Sequence, residues 1–253
     1  MTINSPTSLD IPSLRALWRE AFFDGEAFLD VFFAEAFSPE RCLYAAEGDK
    51  ITAALYWFDC SYRGERVAYL YAVATAKAYR GRGICTALMQ YAHKRLLELG
   101  YIGAILVPGN KELFSFYERL GYRAFGGINE FYSLPSEKNV ELRRIKASEY
   151  AELRLGLLPE GSVIQENENL RFLEAQSDLY SGKDFILAAR REGNTLFGIE
   201  LLGDASIAPM ILRSLDCAEG RFRTPGDEKP FAMYLALGEK KLFLPKYFGL
   251  AFD

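Results

Sequence analysis

At 253 residues the chain is long enough for one large domain or two small ones. Half of it is hydrophobic and a quarter is charged, which excludes a disordered or collagen-like chain and allows a core that needs no disulfide or metal staple. With 30 Lys and Arg against 34 Asp and Glu, the formal net charge is −4, so a nucleic-acid partner, which draws its affinity from neutralised phosphates, is not expected. No basic leader followed by an apolar run opens the chain, and no stretch approaches the roughly 20 apolar residues of a membrane helix, so a cytoplasmic protein without a membrane partner is expected. Cys42, Cys60, Cys85 and Cys217 form no CxxC pair and read as free thiols. His93 is the single histidine, which removes multi-histidine metal sites; no metal is expected.

In chain order, Leu14, Leu17, Trp18 and Phe22 recur at helical spacing, and a second, Phe-rich helix follows over Glu26–Phe37. Arg41–Ala46 and Ile51–Phe58 read as strands joined by the turn Glu47-Gly48-Asp49-Lys50, and Val67–Ala74 as a third strand. After a loop from Thr75 to Gly83 comes a helix with Leu88, Ala92, Leu96 and Leu99 on one face, ended at Gly100. Ile102–Val107 is a short strand broken by Pro108-Gly109. A short helix follows, with Leu113, Phe116, Tyr117 and Leu120 on its apolar face, and then two strands, Tyr122–Phe125 and Glu130–Leu134.

Pro135-Ser136-Glu137-Lys138-Asn139 reads as a linker, which divides the chain into residues 1–135 and 136–253. Beyond it, Val140–Ile145 is expected as a strand and Ala147–Leu158 as a helix. Phe185–Ala189 resembles Cys42–Ala46, and Pro225–Tyr234 (PGDEKPFAMY) resembles Pro108–Tyr117 (PGNKELFSFY), which suggests an internal repeat. Leu43 and Ile186 lie 143 residues apart and Pro108 and Pro225 only 117, so the second copy is 26 residues shorter between these anchors. It has no equivalent of the loop at Arg80–Gly83, and Tyr234 reads as structural.

That loop is the strongest chemical signal. An apolar strand runs into Arg80-Gly81-Arg82-Gly83 and then into a helix; glycines admit close backbone approach, the helix start offers unpaired N–H donors and partial positive charge, and two arginines add more. Together these suit a pyrophosphate. A plain basic turn, a dinucleotide-binding loop and a Walker loop are the competing readings. A dinucleotide loop would want a third glycine where Thr86 stands, and the Gly-Lys-Ser/Thr of a Walker loop is absent.

Arg80-Gly81-Arg82-Gly83-Ile84-Cys85 resembles the Arg/Gln-x-x-Gly-x-Gly/Ala signature of the GNAT (GCN5-related) N-acetyltransferases, with Cys85 in place of Gly or Ala. PGNKELFSFYERLGY, from Pro108, resembles a later motif of that family, and the likeness spans about residues 8–134. It implies an α/β (α+β) GNAT fold: a mixed, mostly antiparallel twisted sheet flanked by helices, followed by a degenerate GNAT-like unit lacking the pyrophosphate loop. It implies acetyl-CoA as cosubstrate, with Arg80, Gly81, Arg82, Gly83, Ile84 and Cys85 around the pyrophosphate, Ala72, Val73 and Ala74 along the pantetheine arm and acetyl carbonyl, and Asn110 on the arm. Tyr117 matches the tyrosine that protonates the departing thiolate, a role suited to a phenol that is neutral at pH 7. The acceptor is then a small-molecule or side-chain amine, which attacks the thioester directly in a ternary complex. A non-catalytic acetyl-CoA sensor or regulatory module is the alternative, and self-association into a homo-oligomer is compatible with either.

The sequence leaves the base open among Glu26, Asp30, Asp59, Glu65, Glu130 and an ordered water; His93, expected on an exposed helix face, carries little weight. The two-unit layout is similar to acetyltransferases of the enhanced intracellular survival type, which act on amines including aminoglycosides and lysine side chains. Those carry a third, sterol-carrier-like unit and use the terminal carboxylate as base. Here the chain reaches Asp253 after YFGLAF, with no room for a third unit.

Overall fold

The computed structural model describes residues 1–239 and 243–252. The first stretch holds β1 (Thr2–Asn4), α1 (Ile11–Phe22), α2 (Glu26–Glu35), β2 (Cys42–Glu47), β3 (Lys50–Tyr62), β4 (Glu65–Thr75), α3 (Ile84–Glu98), β5 (Gly103–Leu106) and α4 (Lys111–Arg119). There follow β6 (Arg123–Ser133), β7 (Arg143–Arg144), α5 (Ala147–Leu157), β8 (Ile164–Gln165), α6 (Glu168–Gln176), β9 (Asp178–Ser181), β10 (Phe185–Glu192), β11 (Thr195–Gly203), α7 (Ala208–Ser214), β12 (Glu219–Gly226) and β13 (Lys229–Ala236).

The chain forms two compact units. One comprises Met1–Arg123 with Met233–Phe243, the other Ala124–Ala232 with Leu244–Asp253. In the first, strand order is β1-β2-β3-β4-β5-β13; only the β4/β5 pair is parallel. Strand alternation sorts β3 by face. Leu55 and Trp57 join Leu88, Ala92 and Leu96 of α3 in one core. Tyr56 and Phe58 point the other way, into an aromatic cluster with Trp18 of α1 and Phe32 of α2; Trp18 lies 4.5 Å from Phe32 and 5.1 Å from Tyr56 between ring centroids.

In the second unit the order is β6-β12-β11-β10-β9-β7, and only β11/β12 is parallel. One face packs Leu187, Leu196 and Phe222 against Ile211 and Leu212 of α7. On another part of this unit, Arg154 of α5 pairs with Glu200 of β11 at 2.7 Å, both fully buried. Tyr150 and Tyr247 donate to the same carboxylate at 2.9 and 3.0 Å, and Gln165 holds the Leu250 backbone at 2.7 and 3.1 Å. A Cβ on Gly249 would stand 2.0 Å from the Glu200 carboxylate, so the tail can close over this network only as glycine.

The two units repeat one topology. Each runs from a short edge strand through two helices into three antiparallel strands, a helix, and a strand parallel to the last; β9, β10, β11, α7 and β12 correspond to β2, β3, β4, α3 and β5. Each ends on an antiparallel strand drawn from the other's stretch of sequence: β13 beside β5, β6 beside β12. The repeat is therefore real in architecture, but two matched segments differ from the sequence reading. Phe185–Ala189 lies on β10, the counterpart of β3 rather than of β2. Pro225–Tyr234 closes β12, bends at Asp227-Glu228 and enters β13, with no helix like α4, so the likeness of letters there is not one of structure. Because neither pair of anchors marks equivalent positions, the 26-residue figure does not measure a deletion; the units differ in that α7 has 7 residues against 15 in α3 and in that nothing replaces α4.

Further differences have local causes. The two strands expected at Tyr122–Phe125 and Glu130–Leu134 are one, β6. Gly126 and Gly127, between the two expected strands, admit close backbone: Cβ atoms there would lie 2.9 Å from Lys246 O and 2.6 Å from Gly226 O. Of Val140–Ile145 only Arg143–Arg144 pairs as a strand, against β9. Among the described residues no helix is long and apolar enough to cross a membrane, and no group of three His, Cys, Asp or Glu is placed to hold a metal.

Candidate active site

In the first unit, β4 and β5 pair only over Val67–Tyr69 and Gly103–Ile105. Beyond Tyr69 the strands part, and β4 continues for six residues whose backbone groups on that side have no ladder with β5. The register between β3 and β4 slips in this stretch, from Ala54 opposite Ala74 to Tyr56 opposite Tyr71, so β4 carries one extra residue. Ala72 takes up the slack with φ of +48°, a left-handed conformation that a residue with a Cβ adopts at a cost. Ala72, Val73 and Ala74 thus sit on a bulge, with the first two half-buried. A strained, kinked backbone beside a gap between strands is where a linear ligand gains hydrogen bonds that the sheet has given up.

Next, Thr75 ends β4 and its carbonyl accepts from Arg80 Nε at 3.0 Å, which pins the loop's first arginine to the strand. Gly81 and Gly83 have φ of +75° and +76°, and a Cβ on either would meet nothing within 4 Å. Glycine is there for the backbone angle, and the space before it is open. Gly83 is the N-cap of α3 without a side-chain cap, so the N–H groups of Ile84, Cys85 and Thr86 have no capping oxygen. Arg82 and Lys50 approach Tyr79 at 5.0 and 5.2 Å from its ring centroid. Open space, unpaired donors and cations fit a pyrophosphate. Cys85 packs against the α3 core, and burial pushes its thiol up to about 11, so it behaves as a small apolar residue.

Tyr117 of α4 is buried in the same core, its ring 5.1 Å from Phe116 and 5.8 Å from Tyr122. Burial, then the neighbouring Cys85, raises its phenol well above the ordinary range. Among the described residues its hydroxyl makes no hydrogen bond, so it is a fully protonated donor with its proton unspent. Asn110 has a structural duty: it caps α4, with Oδ1 accepting from Leu113 N at 3.0 Å. Only its amide NH2 is left for a ligand.

The candidate bases disperse. Glu26 and Asp30 are tied to Arg15 at 2.5 and 2.6 Å on the outside of α1 and α2. Asp59 accepts from the Tyr101 hydroxyl and from Arg66 at 3.3 Å; it lies opposite Ala68, about 13 Å along the strand from Ala72. Glu65 opens β4, about 23 Å from Ala72. Glu130 belongs to the second unit; burial pushes its carboxyl up, but hydrogen bonds from Lys229, Arg221 and Arg223 outweigh this and hold it at about 2, useless as a base near neutrality. Contrary to the sequence expectation, His93 is half-buried, 2.8 Å from the Tyr122 hydroxyl, and burial lowers it to about 4. Asp253 lies outside the described residues. What sequence reasoning missed is the left-handed bulge at Ala72; its one trace is the loss of alternation across Tyr71–Ala74.

The description that matches residues 2–125 is the acetyltransferase (GNAT) domain. No curated protein matches the chain by sequence. Among solved structures, a GCN5-related N-acetyltransferase from Anabaena variabilis superposes with a TM-score of 0.74 at 15% identity, over 94% of this chain and 73% of that one. One from Kribbella flavida gives 0.72 at 17%, over 93% and 71%. Eis1 from Mycobacterium abscessus gives 0.68 at 14%, over 94% and 74%. These likenesses are of fold, and they extend over both units. By the domain match, residues 2–125 carry a GNAT acetyltransferase domain, which supports an acyltransferase, and the likeness of the whole chain to the solved structures is one of fold.

Proposed function

We propose that the first unit moves an acetyl group from acetyl-CoA to a primary amine by direct attack in a ternary complex. The observation that carries this reading is the coincidence, in one unit, of a bulged β4 parting from β5, an uncapped glycine-led helix start, and a buried tyrosine with an unspent proton. Acetyl-CoA supplies an acyl thioester whose leaving group is a thiolate. The backbone of Ala72–Ala74 orients the arm and the acetyl carbonyl. The N–H groups around Gly81–Cys85 hold the pyrophosphate, and Arg82 adds charge. Asn110 offers its amide to the arm. Tyr117 donates its proton to the sulfur as the carbon–sulfur bond breaks.

No carboxylate among Glu26, Asp30, Asp59, Glu65 and Glu130 stands unengaged beside the bulge. In this reading the acceptor's ammonium gives its proton to water before the neutral amine attacks. Half-buried Tyr71, next to Ala72, is edged by Trp18 at 5.7 Å, so an amine approaching from this face meets aromatic rings.

We assign one active site to the whole chain. In the second unit the loop corresponding to Arg80–Gly83 begins at Asp204, whose carboxylate accepts from Ser206 N at 2.9 Å and from its hydroxyl at 2.8 Å. A fixed negative charge at that turn repels a phosphate. Without a counterpart of α4, this unit also has no counterpart of Tyr117. The test is thiol release from acetyl-CoA across a panel of amines, including aminoglycosides and lysine peptides. Release stimulated by at least one amine is expected; none at all, alongside acetyl-CoA binding, would replace the reading with that of a sensor.

A further inference from the structure

The turn between α1 and α2 presents aromatic rings that the core of the first unit does not enclose. Phe22, the last residue of α1, is 40% exposed, and Phe23, its C-cap, is 78% exposed. Phe23 holds φ of +64°, a left-handed conformation in which glycine is usual and a bulky side chain is strained. Half-buried Phe28 of α2 and half-buried Tyr71 of β4 complete the set. Trp18 joins them: its ring centroid lies 5.7 Å from Phe22, 6.1 Å from Phe28 and 5.7 Å from Tyr71. One contiguous aromatic surface therefore runs from the end of α1 to Tyr71, the residue before the bulge at Ala72. A single exposed ring is ordinary; a continuous apolar patch beside a reacting centre marks a binding surface.

Two further contacts hold this surface against the end of β4. Glu20 of α1 accepts from Lys77 N at 2.5 Å, and the Lys77 ammonium stands 5.2 Å from the Phe23 ring centroid. Rings here already carry cations on their faces, since Arg15 likewise lies 5.5 Å over Phe33, and an acceptor arriving as an ammonium ion is held in the same way. The carboxylates between Ile11 and Asp30 have other duties. Glu26 and Asp30 take Arg15 at 2.5 and 2.6 Å, Asp24 accepts from Trp18 Nε1 at 2.8 Å, and Glu20 holds Lys77 N. Aromatic faces rather than carboxylates are therefore what this side of the site offers. Phe22 and Tyr71 stand at 66° and 65° to the Trp18 ring, an edge-to-face pattern that a further flat ring extends and an alkyl chain does not.

We propose that the acceptor is an arylalkyl primary amine, its ring laid on Phe22, Phe28 and Tyr71 and its nitrogen reaching the acetyl carbon beside Ala72. The inference rests on the acetyl-transfer reading and narrows its substrate. The nitrogen bonds to the acetyl carbon as the carbon–sulfur bond breaks. The sulfur takes the Tyr117 proton, and the proton shed by the nitrogen restores Tyr117, so the products are an amide and a free thiol. The test is kcat/KM of the full chain with 2-phenylethylamine, 2-cyclohexylethylamine, butylamine and spermidine, each expressed per neutral amine. Desolvating one phenyl ring supports at least a tenfold preference for 2-phenylethylamine over butylamine and spermidine. The edge-to-face pattern adds at least twofold over the saturated ring. Phe22→Ala, and on the other helix Phe28→Leu, should each melt cooperatively and cut the ratio of 2-phenylethylamine to butylamine at least fivefold. Butylamine, spermidine or the saturated ring turning over as well as 2-phenylethylamine would overturn the inference and leave acetyl transfer standing, as would a folded variant of either position that keeps the parent's ratio. No thiol release with any amine of the wider panel would remove both.

Discussion

Replacing Tyr117 with phenylalanine removes one oxygen from a buried ring and nothing else. Because the hydroxyl makes no hydrogen bond among the described residues, no partner is orphaned, and stability should change by no more than about 0.5 kcal/mol. Acetyl-CoA affinity should also hold, since the phosphate loop is untouched. The chemical step should suffer: a positioned proton donor contributes about 10²–10⁴ in rate, so kcat should fall by that factor while KM for acetyl-CoA stays level. The pH profile of the parent follows from the same geometry. Burial holds the phenol above its ordinary value near 10, so the donor stays protonated through pH 10 and the rate should climb with amine deprotonation, with no descending limb up to that pH. The assay is steady-state thiol release from pH 6 to 10 for parent and variant, with melting curves beside it. A variant with full kcat, or a parent whose rate falls between pH 8 and 10 without unfolding, would refute the role given to Tyr117.

Gly83→Ala should destabilise by about 1 kcal/mol, because the new Cβ meets open space but must adopt a φ of +76°. Its methyl projects where the pyrophosphate is expected, so acetyl-CoA binding measured by calorimetry should weaken at least tenfold. Glu200→Gln leaves the Arg154 guanidinium buried without its counter-charge, which should cost about 3–5 kcal/mol in denaturant unfolding. The Glu130 carboxyl, held at about 2 in the fold against an ordinary 4.5, contributes stability that is full above pH 4.5 and lost as pH falls toward 2. Two of its three cations are about half exposed, so screening reduces this to about 1–2 kcal/mol, seen as a drop in acid melting temperature that Glu130→Gln lacks.

Much of the first unit was legible because its signals are local. The glycines at 81 and 83 announce their positive φ, Gly100 and Gly121 close α3 and α4, and the unbroken apolar run Leu55–Phe58 marks a strand covered on both faces. The exchange of β6 and β13 was not legible: a strand's pattern states which face is apolar, not which strand it will lie beside. PGDEKPFAMY resembles PGNKELFSFY in letters but not in structure, since Pro-Gly followed by a polar run suits both a helix start and a bend between strands. The Arg154–Glu200 pair, 46 residues apart, and the grouping of Arg221, Arg223 and Glu130 arise only when strands assemble. His93 misled because helical spacing alone does not reveal that Tyr122 reaches it.

The central claim is that two units of one topology hold a single acetyl-CoA site. Calorimetric titration of the full chain with acetyl-CoA tests it most directly. The account predicts one molecule bound per chain, lost to at least tenfold weaker binding in Gly83→Ala and undisturbed in Asp204→Asn. Two molecules per chain, or a single site that survives Gly83→Ala at full affinity, would contradict it.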